Sequence, residues 1–463
     1  MRREVVITIF LVVIGATLGV ASTQIKYNPF RPLPESVLFP FSNSKSLEST
    51  KWRPIKHKDY MVYGFLPYWT LSQAKYLQLD KLTDIAYFGL HISEEGGFQK
   101  VNEDGELVPG YNNWRNSKTL TRLIKQSDTY AIRFALTVVS HDDEISTTFL
   151  NCDSCWITLK DDLVSELKYR GIQDVNLNFE YGEYVEPEIA HKYSLLTEYL
   201  NSELDAEFGD SYVVVSTFAD SLISPRVTNI PELSQVADAM FIMGYDFHRP
   251  TSSHAGPVAP VAGVEGHKYY DLNTMASDYL TYASPDKLIL GVPYYGYNWV
   301  VESEETRLNR LSKGEAAGHE AVGNYEVNGD DDDDDNGDDD DDKKEVYINN
   351  DPRSERIPGD DDIGYSKSQT YEQVLATIQE VEEETGEEVE VLWDDLGKVP
   401  YFNYVSLETG SDRKVYFENR ESLRHKYQLA KEHNFSGIGI WALGYDGKRT
   451  EFWSLIEEEL MGF

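Results

Sequence analysis

Between Gly171 and Tyr181, the residues Val175, Leu177 and Phe179 alternate with Asn176, Asn178 and Glu180. Side chains two apart along a β-strand share a face, so two amides and a carboxylic acid line up in one direction. Three polar groups aimed into one interior are costly unless they bond one another or a ligand. The alternative is an ordinary strand capped by a solvated glutamate. Other short apolar runs end in similar chemistry: Tyr68-Trp69, Tyr245-Asp246, Tyr294-Tyr295 and Trp441. An acid surrounded by aromatic rings suits a sugar, whose apolar face stacks on a ring while its hydroxyls bond polar groups. These aromatics would otherwise be core, but their recurrence at strand ends favours a site.

The elements that must position these residues are legible as alternating strand and helix patterns from about residue 59 onward. Apolar runs at 60–66, 84–90, 132–138, 175–180, 212–217, 239–245, 288–293 and 437–441 read as strands. Leu159, Leu163 and Leu167 keep helical spacing, as do Ile189, Tyr193, Leu196, Leu200 and Leu204. Eight strands alternating with helices predict an α/β fold with a parallel sheet closed into a barrel, whose site lies at the C-terminal strand ends.

One barrel with insertions fits a chain of 463 residues with 41% hydrophobic and 13% aromatic content. The net charge of −38 excludes nucleic acid and anionic membrane surfaces as partners. The two cysteines, Cys152 and Cys155, are too few for a four-ligand structural metal site and read as a local disulfide or two free thiols. No metal and no cofactor is expected. Residues 1–22 begin with arginines and continue as an apolar run, which predicts a signal peptide or N-terminal membrane anchor and an extracellular or cell-surface protein. Residues 23–58, with several prolines and no period, read as a linker. The barrel is expected over 59–463, as a monomer.

An insertion is expected at 302–418, between the seventh and eighth strands. Its first part, about 326–362, is predicted to be a disordered acidic loop, because the run from Asp330 to Asp342 contains eleven aspartates that repel one another. Asp332, Asp334, Asn336 and Gly337 fit the opening of a calcium loop, but the twelfth position is Lys343, where a bidentate glutamate is needed. The second part, about 363–418, reads as a small α+β subdomain: a helix over 371–384 stopped by Gly386, then strands at 389–393, 399–405 and 414–417.

The central strand resembles that of the family-18 glycoside hydrolases, the chitinase-like TIM barrels, whose pattern is D-G-x-D-x-D-x-E. Met243-Gly-Tyr-Asp246 resembles the family's sixth strand, Gly291 to Gly296 its seventh, and Gly437 to Tyr445 its eighth with the tryptophan. The resemblance covers about residues 60 to 450, and is closest in flavour to bacterial cell-wall and spore-type members. It implies a (β/α)8 TIM barrel with a small α+β insertion, and a substrate of β-linked N-acetylglucosamine polysaccharide. It also implies substrate-assisted catalysis, in which the 2-acetamido oxygen attacks the anomeric carbon and one protein acid suffices. Glu180 would be that acid, protonated near neutral pH, with Tyr245 holding the acetamido oxygen and Trp441 flooring the sugar. Tyr68, Trp69, Tyr181, Asp246, Tyr294 and Asn176 would bind substrate beside them. Asn178 and Asn176 stand where the family usually has aspartates. An amide still accepts the acetamido N–H but supplies no negative charge, which puts rate in question more than binding. A weakened glycan-binding protein on the same scaffold is the alternative.

Overall fold

The computed structural model describes residues 60–182, 184–250, 252, 254–263, 270–302 and 365–461. The expected export segment, linker and acidic run lie outside these residues.

Eight parallel strands close into a barrel in the order β1-β13-β7-β6-β5-β4-β3-β2. They are β1 (Met61–Pro67), β2 (Asp84–His91), β3 (Arg133–Ser140), β4 (Asp174–Phe179), β5 (Val213–Phe218), β6 (Ala239–Met243), β7 (Leu288–Pro293) and β13 (Gly437–Trp441). Every one of these falls on an expected strand, because seven are largely buried apolar runs and β4 alternates apolar with polar residues. The inward-facing residues form one cluster, including Tyr63, Phe65, Phe88, Val139, Phe241 and Ile289. The Phe241 ring fills space that two glycines leave open: a Cβ at Gly439 would lie 2.0 Å from it, and one at Gly291 2.6 Å.

The helices cover the outside with single apolar faces. They are α1 (Pro109–Asn116), α2 (Lys118–Tyr130), α3 (Asp143–Leu150), α4 (Asp153–Arg170), α5 (Pro187–Phe208), α6 (Ile230–Val236) and α7 (Leu272–Tyr279). In α4, Leu159, Leu163 and Leu167 are buried, and Gly171 ends the helix at φ 70°, a left-handed conformation that glycine adopts without a Cβ clash. Cys152 and Cys155, at the start of α4, form a disulfide. Helix α1 is pinned to α4 through the buried Glu166, which accepts from the Tyr111 hydroxyl, the Trp114 indole and the Arg115 guanidinium at 2.7–2.9 Å.

The insertion is a five-stranded antiparallel sheet, ordered β10-β11-β12-β8-β9. Its strands are β8 (Tyr295–Val300), β9 (Ser366–Thr370), β10 (Leu392–Asp394), β11 (Val399–Val405) and β12 (Asp412–Tyr416). Helix α8 (Tyr371–Thr385) starts with a capping box of Thr370 and Gln373 and ends at Gly386, as its sequence predicts. The insertion begins earlier than residue 302. Strand β8 follows β7 after the single residue Tyr294, so the sheet takes its first strand from what reads as the tail of a barrel strand. Helix α9 (Arg420–Glu432) returns the chain to the barrel, and α10 (Glu451–Leu460) follows the last strand.

Candidate active site

Strand β4 delivers its polar face to the barrel interior in a graded series. Asn176, lowest in the series, is fully enclosed and accepts from the Ser216 hydroxyl at 3.2 Å, while its own amide nitrogen has no protein partner. Asn178, one pleat higher, donates from Nδ2 to Oε1 of Glu180 at 2.8 Å. Glu180 lies just past the strand, its backbone N–H bonded to the Ser140 carbonyl at the end of β3. The next residue of that neighbouring strand end, His141, brings its Nε2 to 3.3 Å from Glu180 Oε1 and 3.1 Å from Asn178 Nδ2.

This neighbour reverses one expectation. Burial pushes the Glu180 carboxyl upward, but the His141 charge and hydrogen bond, joined by the Asn178 amide, outweigh it and hold the group below the usual glutamate range. An acid poised to be protonated near neutrality needs burial or a negative neighbour to prevail, and at Glu180 the imidazole and the amide outweigh the burial. His141 mirrors the effect: burial pushes it down, and the Glu180 charge raises it above an ordinary histidine. His91, at the end of β2, is driven down to about 4 by burial and by His141, and so stays neutral.

Glu180 stands between two cavities. The first, of about 480 Å³, is lined by Asn178, Glu180, Tyr245, Asp246, Met243 and Trp441 among others. The second, of about 710 Å³, is lined by Tyr68, His91, His141, Tyr181 and residues of α1. Tyr245 keeps its phenolic proton, because burial and then the Glu180 and Asp246 charges raise it well above the usual value. Asp246 accepts from the hydroxyls of Tyr295 and Tyr297, both on β8, so the insertion sheet holds a residue of the site in place. Burial nonetheless raises the Asp246 carboxyl. The Trp441 ring stands edge-on to Phe65 and Phe88 at 5.4 and 4.8 Å, with part of its surface open to the first cavity.

Two expected substrate contacts, Tyr294 and Trp69, take other places. Tyr294 is in the core: its hydroxyl meets that of Tyr427 at 3.1 Å and its ring packs on Phe452. It is Tyr295, of opposite strand parity, that points to the site. Trp69 packs edge-on against Tyr68 and Phe88 and lines neither cavity. Tyr181 lines the second cavity, but it is buried and its hydroxyl is tied to Thr147 at 2.7 Å. The sequence does not single out His141, which lines the second cavity, or Arg226 and Arg249, which line both. A signal for His141 existed, since it stands at the C-terminal end of a barrel strand, where this fold keeps its chemistry. Among the described residues no group of three or more histidine, cysteine or acidic side chains could hold a metal ion, and no helix is long and apolar enough to cross a membrane.

A closed parallel barrel with an acid after its fourth strand and an aromatic mouth defines a class that the comparisons identify. Glycosyl hydrolases family 18 matches residues 61–446, and the chain belongs to that family. Chitinase A1 of Niallia circulans is 23% identical over 308 residues, covering 62% of this chain and 36% of that protein. Di-N-acetylchitobiase of Rattus norvegicus is 23% identical over 402 residues, covering 85% and 84%. The chain spans between 36% and 66% of the length of the first four curated relatives it matches. The Group IV chitinase of Ostrinia furnacalis shares the fold, with a TM-score of 0.64 at 18% identity over 87% of this chain and all of the other.

Proposed function

We propose that the protein is a retaining glycoside hydrolase of β-linked N-acetylglucosamine polymers, chitin or the glycan of peptidoglycan. The observation that carries the reading is the shared cavity in which Glu180, hydrogen-bonded by Asn178, faces Tyr245 and Trp441. Relatives named as a chitinase and a chitobiase support the substrate class.

In this reading the sugar stacks on Trp441. The phenol of Tyr245 donates to the 2-acetamido oxygen, and the Asn178 carbonyl accepts the acetamido N–H. The acetamido oxygen gives an electron pair to the anomeric carbon as the bond to the leaving oxygen breaks. That oxygen keeps the bonding pair and takes the Glu180 proton. The cyclic oxazolinium ion is then opened by water, which gives a proton back to the Glu180 carboxylate, so configuration is retained and the acid is restored. The basic, apolar residues 1–22 support export, either by a cleaved signal or as a membrane anchor.

The test is incubation of the purified protein with chitin oligomers and with peptidoglycan, the products read by mass. Glu180→Gln keeps shape and removes the transferable proton, so turnover falls by at least ~10²-fold while affinity holds. If the parent binds such a glycan and cuts none, the protein is a glycan-binding member of its family.

A further inference from the structure

The acid of this site has a histidine beside it, and the histidine comes from another strand. His141 and Glu180 expose 36% and 32% of their side chains to the cleft and are otherwise walled in. Asn178 cannot act as a proton acceptor or charge partner for Glu180, because its amide does not titrate. Its Nδ2 lies within hydrogen-bond reach of both Glu180 Oε1 and His141 Nε2, at 2.8 and 3.1 Å. Three polar atoms thus meet at one point, and two of them titrate. We propose that His141 is the proton partner of Glu180, so that the acid of this site is a two-residue unit holding one proton between carboxyl and imidazole. This rests on the reading of Glu180 as the proton donor.

The balance is simple. Imidazolium beside carboxylate and neutral imidazole beside carboxylic acid are two forms of one protonation state. From the second form, the proton passes from Glu180 to the leaving oxygen, leaving carboxylate and neutral imidazole. Water opening the intermediate returns one proton to the pair. Coupled groups titrate as a pair, so the last proton leaves at the pair's upper value and not at that of an isolated carboxyl. The Glu180 charge raises His141 and the His141 charge lowers Glu180, as this requires. The other charged or titratable groups facing the pair include His91 from β2, Asp142 next to His141, Asp220 after β5, Tyr245 and Asp246 after β6, and Arg226 and Arg249 at the cavity wall. His91 is neutral at the relevant pH, its value being about 4. His141 is therefore a positioning residue that acts through Glu180.

Two measurements test this. The first is the pH profile of kcat/KM on an N-acetylglucosamine oligomer for the parent and for His141→Gln. The parent should keep activity beyond pH ~6.5, the ordinary histidine value. The variant should lose its alkaline activity at least one pH unit earlier, with KM changed less than threefold. An alkaline limb in the same place for both overturns the proposal, since a purely structural histidine would alter amplitude alone. The second needs no substrate: the His141 ring is titrated by NMR in the parent and in Glu180→Gln. The midpoint should lie above ~6.5 in the parent and fall below it in the variant, where burial is unopposed. An unmoved midpoint overturns the pairing. A coupled titration in a protein that cuts no glycan keeps the pairing and removes the hydrolase reading.

Discussion

Replacing Asn178 by aspartate puts a second carboxylate into the space between Glu180 and His141. The amide nitrogen it replaces lies 2.8 Å from Glu180 Oε1 and now donates to it. A carboxylate there can make the same contact only if one of the two acids is protonated. Two unit charges about 3 Å apart repel by roughly 5 kcal/mol at an effective dielectric of about 20. His141, 3.1 Å from the same atom, offsets part of this, and the third of Glu180 that is open to the cleft allows solvent to screen more. If only about 1.4 kcal/mol survives, the proton at Glu180 is held tenfold more tightly. The alkaline limb of kcat/KM should therefore rise by one pH unit or more. Negative charge beneath the developing oxazolinium should also raise turnover, by up to ~10²-fold if its absence limits the parent. The assay is kcat/KM against pH on a chitin oligomer, parent and Asn178→Asp side by side, with folding checked by circular dichroism. A limb that stays or moves down, or a turnover that drops, refutes the reasoning and makes Asn178 a residue to which the site is tuned.

Trp441→Ala should weaken oligosaccharide binding at least tenfold by calorimetry, because the proposed function stacks the sugar on this ring, which lines the first cavity; unchanged affinity in a folded variant would move the glycan elsewhere. Stability should fall as pH rises from about 4 to 7. Asp174 and Asp446 are each pushed by burial to about 7, so the folded chain binds protons that the unfolded chain has released in that window. Each contributes on the order of 4 kcal/mol, fully present below the unfolded value and lost as pH passes the folded one. The midpoint of thermal unfolding should be higher at pH 5 than at pH 8, and the opposite order would contradict the burial argument.

The barrel was legible because its strands are buried on both faces and its helices on one, and both conditions leave periodic traces in sequence. Strand β6 was expected to reach Tyr245 and stops at Met243, since Asp246 takes a left-handed φ of 60° and the chain turns out of the sheet there. Strand β8 was missed because no turn signal separates it from β7. Strand β9, Ser-Lys-Ser-Gln-Thr, carries no apolar alternation and is held by its ladder to β8. At the site, β4 announced itself through its own alternation, which is local information. His141 had only its place after a strand end to mark it, because its meaning comes from a residue on another strand. The third strand was expected to end at Val138 but runs on to Ser140, which sets His141 at the rim. Tyr294 and Tyr295 differ only in parity, and the composition at a strand end does not say which of two adjacent rings turns inward.

The pairing of β8 with β9 joins Trp299 to Ser366, so the chain leaves the insertion sheet after one strand and comes back on its immediate neighbour. The described chain thus leaves from one strand and re-enters on the strand hydrogen-bonded to it, the antiparallel pairing of a hairpin, with residues 303–364 as the connecting sequence. Whatever occupies that stretch can lengthen, shorten or change its charge without altering one register in the barrel. The eleven aspartates between 330 and 342 belong to that stretch of sequence, so their number and charge can be rewritten while every register of the barrel is kept.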